Sequence, residues 1–376
     1  MTLPGRGAAL LCILPAALLM AQGQTAPAEG FEDLARRAEA ALDSRPAEAA
    51  ALYQKALALR PEWPEGWMYL GAALYQLDRY AEATDAFRRG IDLTPNLGTA
   101  WAFLGMCEAE LDNPDQALAD IRKGETLGLG ENVGFEIAAR VSAAQILIRS
   151  SAFNEALDQL QPLALRGINA PPLEQTMGLA TLAVPAGWAE LTPERRAVVE
   201  LTGKAAWASG SQRPADAAAG YKELMERHPD EPGVRYAHGL YLMETDLVAA
   251  LAEFRKEAQK NPSHWPTLLA IGSLEIRSDA PDSAIRTLSD ALKLVPARQR
   301  WQAHAELGRA NMATGKLDAA IAELEAARRL MPSMPQIHLY LAQAYRRAGR
   351  EQDAQKEMAD FQRLKSLQDP LGVPAK

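Results

Sequence analysis

The side chains best equipped for chemistry in this chain are five histidines, His228, His238, His264, His304 and His338, and two cysteines, Cys12 and Cys107. A metal site would need several of them at ligand spacing. No HExxH, HxH or Cys/His cluster occurs. His304 and His338 stand 34 residues apart, a separation that only a fold could bring together. A phosphate cradle would need glycines at GxGxxG or GxxxxGK[ST] spacing. The nearest approach is Gly128, Gly130 and Gly134, where the last glycine comes one residue late and the segment before it reads as helix. No GxSxG elbow is present, and Ser263–His264 is the only adjacent serine–histidine pair. Carboxylates are abundant but spread at solvent spacing, as Glu323 and Glu325 flank Leu324. A spatial pair of carboxylates for glycoside hydrolysis leaves no sequence signature and stays open. The expectation is no catalytic residue, no cofactor and no resident metal, hence no enzyme.

The formal net charge of −8 argues against nucleic-acid binding, which needs a basic footprint. Aromatic residues make up only 6% of the chain and alanine is frequent, which suits closely stacked helices better than a β-sandwich. Arg6, the apolar stretch Ala8 to Met20 and the small residues of Ala21-Gln22-Gly23 read as a cleavable signal peptide, residues 1–23. The apolar run is about 13 residues, short of the roughly 20 a spanning helix needs. The mature chain is expected to carry no membrane span and to be periplasmic or secreted. Removal of Cys12 leaves Cys107 alone, between Met106 and Glu108, where it reads as a small packed residue.

What must position any functional side chain is a repeat. Trp67-Met68-Tyr69-Leu70-Gly71 returns 34 residues later as Trp101-Ala102-Phe103-Leu104-Gly105. Ala83, Phe87 and Pro95 complete the first unit; Ala117 and Ile121 take the same offsets in the second. Further units follow Gly239–Ala250–Phe254–Pro262, Gly272–Ala284–Leu288–Pro296 and Gly308–Ala320–Leu324–Pro332. Others follow Ala205–Ala217–Tyr221–Pro229 and Ala342–Ala354–Met358, and weaker ones Ala49–Tyr53–Pro61 and Ala144–Ala156–Leu160. The small residue of a first helix lets its partner helix come close, and the proline, where present, ends the unit. One helix pair cannot bury its apolar face alone, so neighbours must stack.

These residues resemble the tetratricopeptide pattern W-x2-L-G-x2-Y…A-x3-F…P at its 34-residue period. The resemblance implies an all-α fold, a right-handed α-solenoid of about nine helix-turn-helix units with one irregular helical insert. It also explains His304 and His338, which occupy the places of Trp67 and Trp101 in later units. The expected organisation is a linker at 24–29, an N-terminal array of about four units at 30–170 and an insert at 171–197. A C-terminal array of about five units follows at 198–368, then a tail at 369–376. Within the insert, Leu173 to Val184 reads as a helix, Pro185-Ala186-Gly187 breaks it, and Thr192-Pro193-Glu194 starts the next helix. The insert reads as a cap between arrays, or as a hinge with Trp188 as its handle.

In this family the first helices line a concave groove that takes protein or peptide segments. Carried onto this sequence, the groove would show Met68, Ala72, Tyr75 and Gln76, then Ala102, Met106 and Glu110. Toward the C-terminus it would show Tyr236, Leu240 and Met243, then Leu269, Ser273 and Ile276. It would end with Arg309, Met312, Gln343 and Arg346. The family's two-lysine, two-asparagine clamp for a terminal carboxylate is absent from the matching positions. The leading expectation is an extracytoplasmic scaffold or adaptor for protein partners. The alternative is a carbohydrate- or peptidoglycan-binding module, with Tyr69, Tyr75 and Phe103 near Trp67 and Trp101 stacking on sugar rings. A subunit of an envelope enzyme is a third reading.

Overall fold

The computed structural model describes residues 30–368. The expected signal peptide, linker and tail lie outside the described residues. Within them every regular element is helical: nineteen α-helices and two short 3-10 turns. Contacts divide the chain into two compact units. One holds the residues to Leu147 with Glu155–Leu163, and the other holds Ile148–Asn154 with the residues from Ala164 on.

The first unit contains α1 (Phe31–Ala41), α2 (Pro46–Leu59), α3 (Pro64–Gln76), α4 (Tyr80–Leu93), α5 (Gly98–Glu110) and α6 (Pro114–Leu127). It also takes most of α7 (Val133–Arg149) and of α8 (Phe153–Leu165). These are four helix pairs. Helix α4 shows why they form: Ala83, Ala86, Phe87, Gly90 and Ile91 recur at i, i+3, i+4, i+7 and i+8, and all are buried. Within a pair the closest approach is set by the glycine of the first helix. A Cβ on Gly71 would lie 2.6 Å from the ring of Phe87, so the ring occupies the space the side chain leaves empty. The bulky residue of the second helix fills this notch.

The second unit begins with α9 (Pro171–Thr181), a 3-10 turn at Trp188–Glu190 and α10 (Pro193–Gly210). Thr192 caps α10 by accepting from the Arg195 N–H at 3.3 Å. Residues 171–197 fall inside this unit. Helix α9 ends at Thr181, short of the expected Val184, and packs directly on α10. There a Cβ on Gly178 or Gly203 would strike the carbonyls of Val199 or Glu174 at 2.1 and 1.9 Å. Trp188 is held from behind: Arg196 donates to the carbonyls of Trp188 and Ala189, both at 3.1 Å.

The remaining pairs are α10 with α11 (Pro214–Arg227), α12 (Val234–Leu242) with α13 (Leu247–Lys260), and α14 (Trp265–Arg277) with α15 (Pro281–Leu294). Then come α16 (Arg300–Ala313) with α17 (Leu317–Leu330), and α18 (Pro335–Arg347) with α19 (Glu351–Gln368). Gly308 repeats the notch, with Leu324 Cγ 2.4 Å from where its Cβ would stand.

Two recurring devices went unread in the sequence. The turn inside most pairs places a left-handed residue two positions past the first helix: Asp78, Asp112, Ser151, Gln212, Asp279, Gly315 and Gly349, with φ between 55° and 76°. The next residue's N–H then reaches back over the turn, as Arg79 does to Leu74 and Lys316 to Asn311, closing the helix end. Successive pairs are tied by buried carboxylates. Arg88 of α4 meets Glu108 of α5 at 2.7 Å, and Arg255 of α13 meets Glu275 of α14 at 3.3 Å, twenty residues apart in each case.

Candidate functional site

The first helices of the first unit do not offer the expected groove. Met68, Ala72 and Tyr75 on α3 and Ala102 and Met106 on α5 are buried; Gln76 is half-buried. The physical reason is a ladder of rings across successive first helices. Tyr75 meets Phe103 edge-on at 6.0 Å, and Phe103 lies 4.4 Å from Phe135 of α7 and stacks on Phe87 at 5.0 Å. Tyr69 stacks on Tyr53 at 5.5 Å. Small residues at Ala72 and Ala102 let these helices touch, and the rings fill what remains. The aromatic face proposed for sugar stacking is thus spent on packing.

The second unit differs. A cavity of about 380 Å³ opens along the first helices α12, α14, α16 and α18. Helix α12 gives Tyr236, Leu240 and Met243, and α14 gives Trp265, Leu269 and Ser273. Helix α16 gives Trp301, Gln302, Ala305 and Glu306; around the start of α18 stand Met334, Gln336, Ile337 and Tyr340. Phe153 and Asn154, which belong to this unit, close one side, with the Phe153 ring stacked 6.0 Å from Trp265. Spacing of i and i+4 keeps 236/240, 265/269 and 301/305 each on one helix face. The floor is aromatic, aliphatic and thioether, and its polar atoms are mostly neutral amides and hydroxyls. The indole N–H of Trp301 is buried with no hydrogen-bond partner from the protein.

The expected Tyr236, Leu240 and Met243 therefore line this cavity, together with Leu269 and Ser273. Arg309 stands at its margin, half-buried: its guanidinium bonds both carboxylate oxygens of Glu306, at 2.8 and 2.7 Å, and lies 5.4 Å over the Tyr340 ring. Gln343 and Arg346 are exposed and do not line it, and Arg346 faces Glu351 at 3.9 Å. Met312 is buried. The sequence reading missed Trp265, Trp301, Met334 and Tyr340. A signal for the tryptophans existed: each precedes the notch glycine, Gly272 or Gly308, by seven residues.

The histidines take structural roles. Trp67 and Trp101 donate their indole N–H to the carbonyls of Pro61 and Pro95, each at 2.8 Å and six residues back. His338 reaches Pro332 in the same way, with Nε2 at 2.9 Å from the carbonyl. For His338 the equivalence inferred from the period thus extends to one hydrogen bond. Nδ1 of His304 and of His338 meet Glu323 and Glu357 at 2.6 and 2.7 Å, nineteen residues on in both units. His338, Glu357 and Asp360 bring ligand atoms within 4.8 Å of one another. Both oxygens of Glu357 are engaged, by Arg328 and His338, and Asp360 Oδ1 accepts from Arg363 at 2.9 Å, so the group reads as an ion-pair network. His264 bonds Thr267 at 2.6 Å, and burial lowers its pKa. Cys107 is fully buried, and burial pushes its thiol pKa up, away from the thiolate form that reacts.

Comparison with known proteins agrees with this architecture. The tetratricopeptide-repeat family matches residues 64–97 in one form, and 269–335 and 306–359 in another. These matched segments are tetratricopeptide repeats. No curated protein matches it. Among solved structures it is similar to MamA 41-end from Desulfovibrio magneticus RS-1, at 20% identity and a TM-score of 0.41, over 47% of this chain and 98% of that one. It is also similar to yeast Tom70, at 15% identity and a TM-score of 0.39, over 89% of this chain and 76% of that one. Among the described residues no helix is long and apolar enough to cross a membrane.

Proposed function

We propose that this chain is an extracytoplasmic scaffold that holds protein partners by seating a peptide segment in the cavity of its second unit, without catalysis. The cavity carries the reading: adjacent first helices present Trp265, Trp301, Tyr236, Tyr340 and two methionines around about 380 Å³ of space. Tryptophan and tyrosine are the residues most enriched at interface hot spots, and methionine adapts to varied apolar shapes. The amide side chains of Gln302 and Gln336 stand at the same surface, where they can meet a partner's backbone. Export rests on the first 23 residues; amino-terminal sequencing of the processed protein tests it, with Gln24 the expected first residue. The sugar-binding alternative loses its motive, because Tyr69, Tyr75 and Phe103 pack against other rings.

A photo-crosslinking residue placed at Gln302 in the full chain tests the reading against the same residue at Gln76. The expected result is one discrete partner adduct from Gln302 and none from Gln76. Adducts from Gln76 alone would sink it.

A further inference from the structure

Behind the cavity wall sits a titratable ring that does not itself line the groove. His264 immediately precedes α14, and the next residue, Trp265, is a wall of the cavity. The imidazole meets the ring of Tyr236, another wall, edge-on at 5.1 Å. Trp265 in turn stacks on Phe153 at 6.0 Å, so three aromatic walls depend on how this stretch of chain is held. Two contacts hold it. Nδ1 of His264 and the hydroxyl of the buried Thr267 lie 2.6 Å apart, and the Thr267 N–H donates to the His264 carbonyl at 3.1 Å. Both tie His264 to the first turn of α14. Nε2 is buried and makes no hydrogen bond within the protein.

A positive charge on this ring is disfavoured for three reasons. Its Nε2 side is shielded from solvent. It would stand at the N-terminal end of α14, whose dipole repels cations. It would face Arg195 of α10, a guanidinium 3.4 Å from Glu231. Glu257 of α13 and the Leu182 carbonyl beyond α9 favour the charge. Glu257 is already committed, accepting from the Gly233 N–H at 2.9 Å and from Asn261 at 2.7 Å. Tyr236 of α12 stays neutral, since burial pushes its phenol pKa up. Burial is the largest influence on His264, and the balance lowers its pKa. A ring whose pKa is lower in place than when released binds fewer protons in place. Acid therefore favours release as pH falls below the ordinary histidine value of about 6.5. We propose that His264 makes the groove acid-sensitive: the neutral ring seats Trp265 and Tyr236, and its protonation frees the start of α14 and lets the partner go. The inference rests on the partner-groove reading above and adds its regulation. One proton sets the limit, about tenfold in partner affinity per pH unit.

The test uses the full chain labelled with 5-fluorotryptophan and followed by fluorine NMR from roughly pH 8 to pH 4, a range that brackets the ordinary histidine value. The Trp265 line is assigned with Trp265→Phe. It should shift along a one-proton curve with its midpoint below about 6.5, while the lines of Trp67 and Trp101 in the first unit stay fixed. His264→Asn, which keeps an uncharged residue suited to a helix start, should abolish the shift. Arg195→Gln, as an independent variant, should move the midpoint up, because it removes a charge that opposes protonation. A Trp265 line that does not move, a shift that persists in His264→Asn, or all tryptophan lines moving together as in general acid unfolding overturns the proposal. The two readings fail separately. A photo-adduct from Gln302 that forms equally at both ends of the pH range removes only the switch. No adduct at the neutral end removes the groove, whatever the Trp265 line does.

Discussion

Replacing Gly308 with alanine tests the packing rule on which every helix pair here depends. The new Cβ would stand 2.4 Å from Leu324 Cγ and 3.2 Å from the Ala320 carbonyl oxygen. The backbone of α17 cannot retreat without opening its contact with α16, so Leu324 must leave its rotamer. Overpacking of this kind costs about 1–3 kcal/mol. Leu324→Ala, at a fully buried position, should cost about 2–5 kcal/mol through lost burial and the cavity left behind. In the double variant the alanine Cβ enters the space the leucine vacates. The two losses should then fall short of additivity by about 1 kcal/mol or more, against about 0.3–0.5 kcal/mol of scatter for independent sites. Urea unfolding followed by far-UV circular dichroism gives the cycle. Repeat arrays can unfold in stages, so tryptophan fluorescence, which samples seven sites along the chain, should be recorded in parallel as a check that one transition is followed. Additive losses would show that the glycine notch and the leucine do not share one volume, and the account of pairing would be wrong.

Three further outcomes follow from particular residues. Burial, with Glu108 nearby, raises the Asp120 pKa. A carboxyl raised in the folded state favours folding at low pH, and that contribution is lost as pH rises through the folded pKa. Asp120→Asn should therefore stabilise the protein at pH 7, with the gain vanishing as pH falls below the ordinary aspartate value of about 3.9, measured by thermal melts across pH. Gln212 adopts φ 57° at a turn where Gly315 and Gly349 serve elsewhere. Gln212→Gly should raise stability by about 0.5–1 kcal/mol, the difference between the left-handed penalty and glycine's extra chain entropy, while Gly315→Val should lose more than 1 kcal/mol. Cys107 should resist an aromatic disulfide reagent in the native protein and react only on unfolding; rapid native labelling would contradict its burial.

The sequence was most informative where one residue type does one job at a fixed place. The 34-residue recurrence of Trp67-x-x-Leu70-Gly71 announced the pairs, because glycine and tryptophan there answer to a notch and to a carbonyl six residues back. His338 in a tryptophan's place was legible for the same reason. The turns were less so, since the left-handed position accepts Asp, Ser, Gln and Gly, and the shared property is a dihedral angle and not a side chain. The groove was legible in only one unit. On a first helix, whether a residue such as Tyr75 is free depends on Phe103 and Phe135 on the next helices. Sequence gives the helix, and packing against the next helices decides whether a residue on it stays open. Hence Met68 and Met106 are core, while Met243 lines a cavity.

The most direct test of the account is a titration of the crosslinked partner's segment against the full chain and its variants. Truncating a buried hot-spot aromatic costs about 2 kcal/mol or more, roughly 30-fold in affinity. Trp265→Ala and Trp301→Ala should each weaken binding by about that factor, while Gln76→Ala should leave it unchanged. Full affinity in both tryptophan variants, or an equal loss in Gln76→Ala, would contradict the assignment of binding to the second unit.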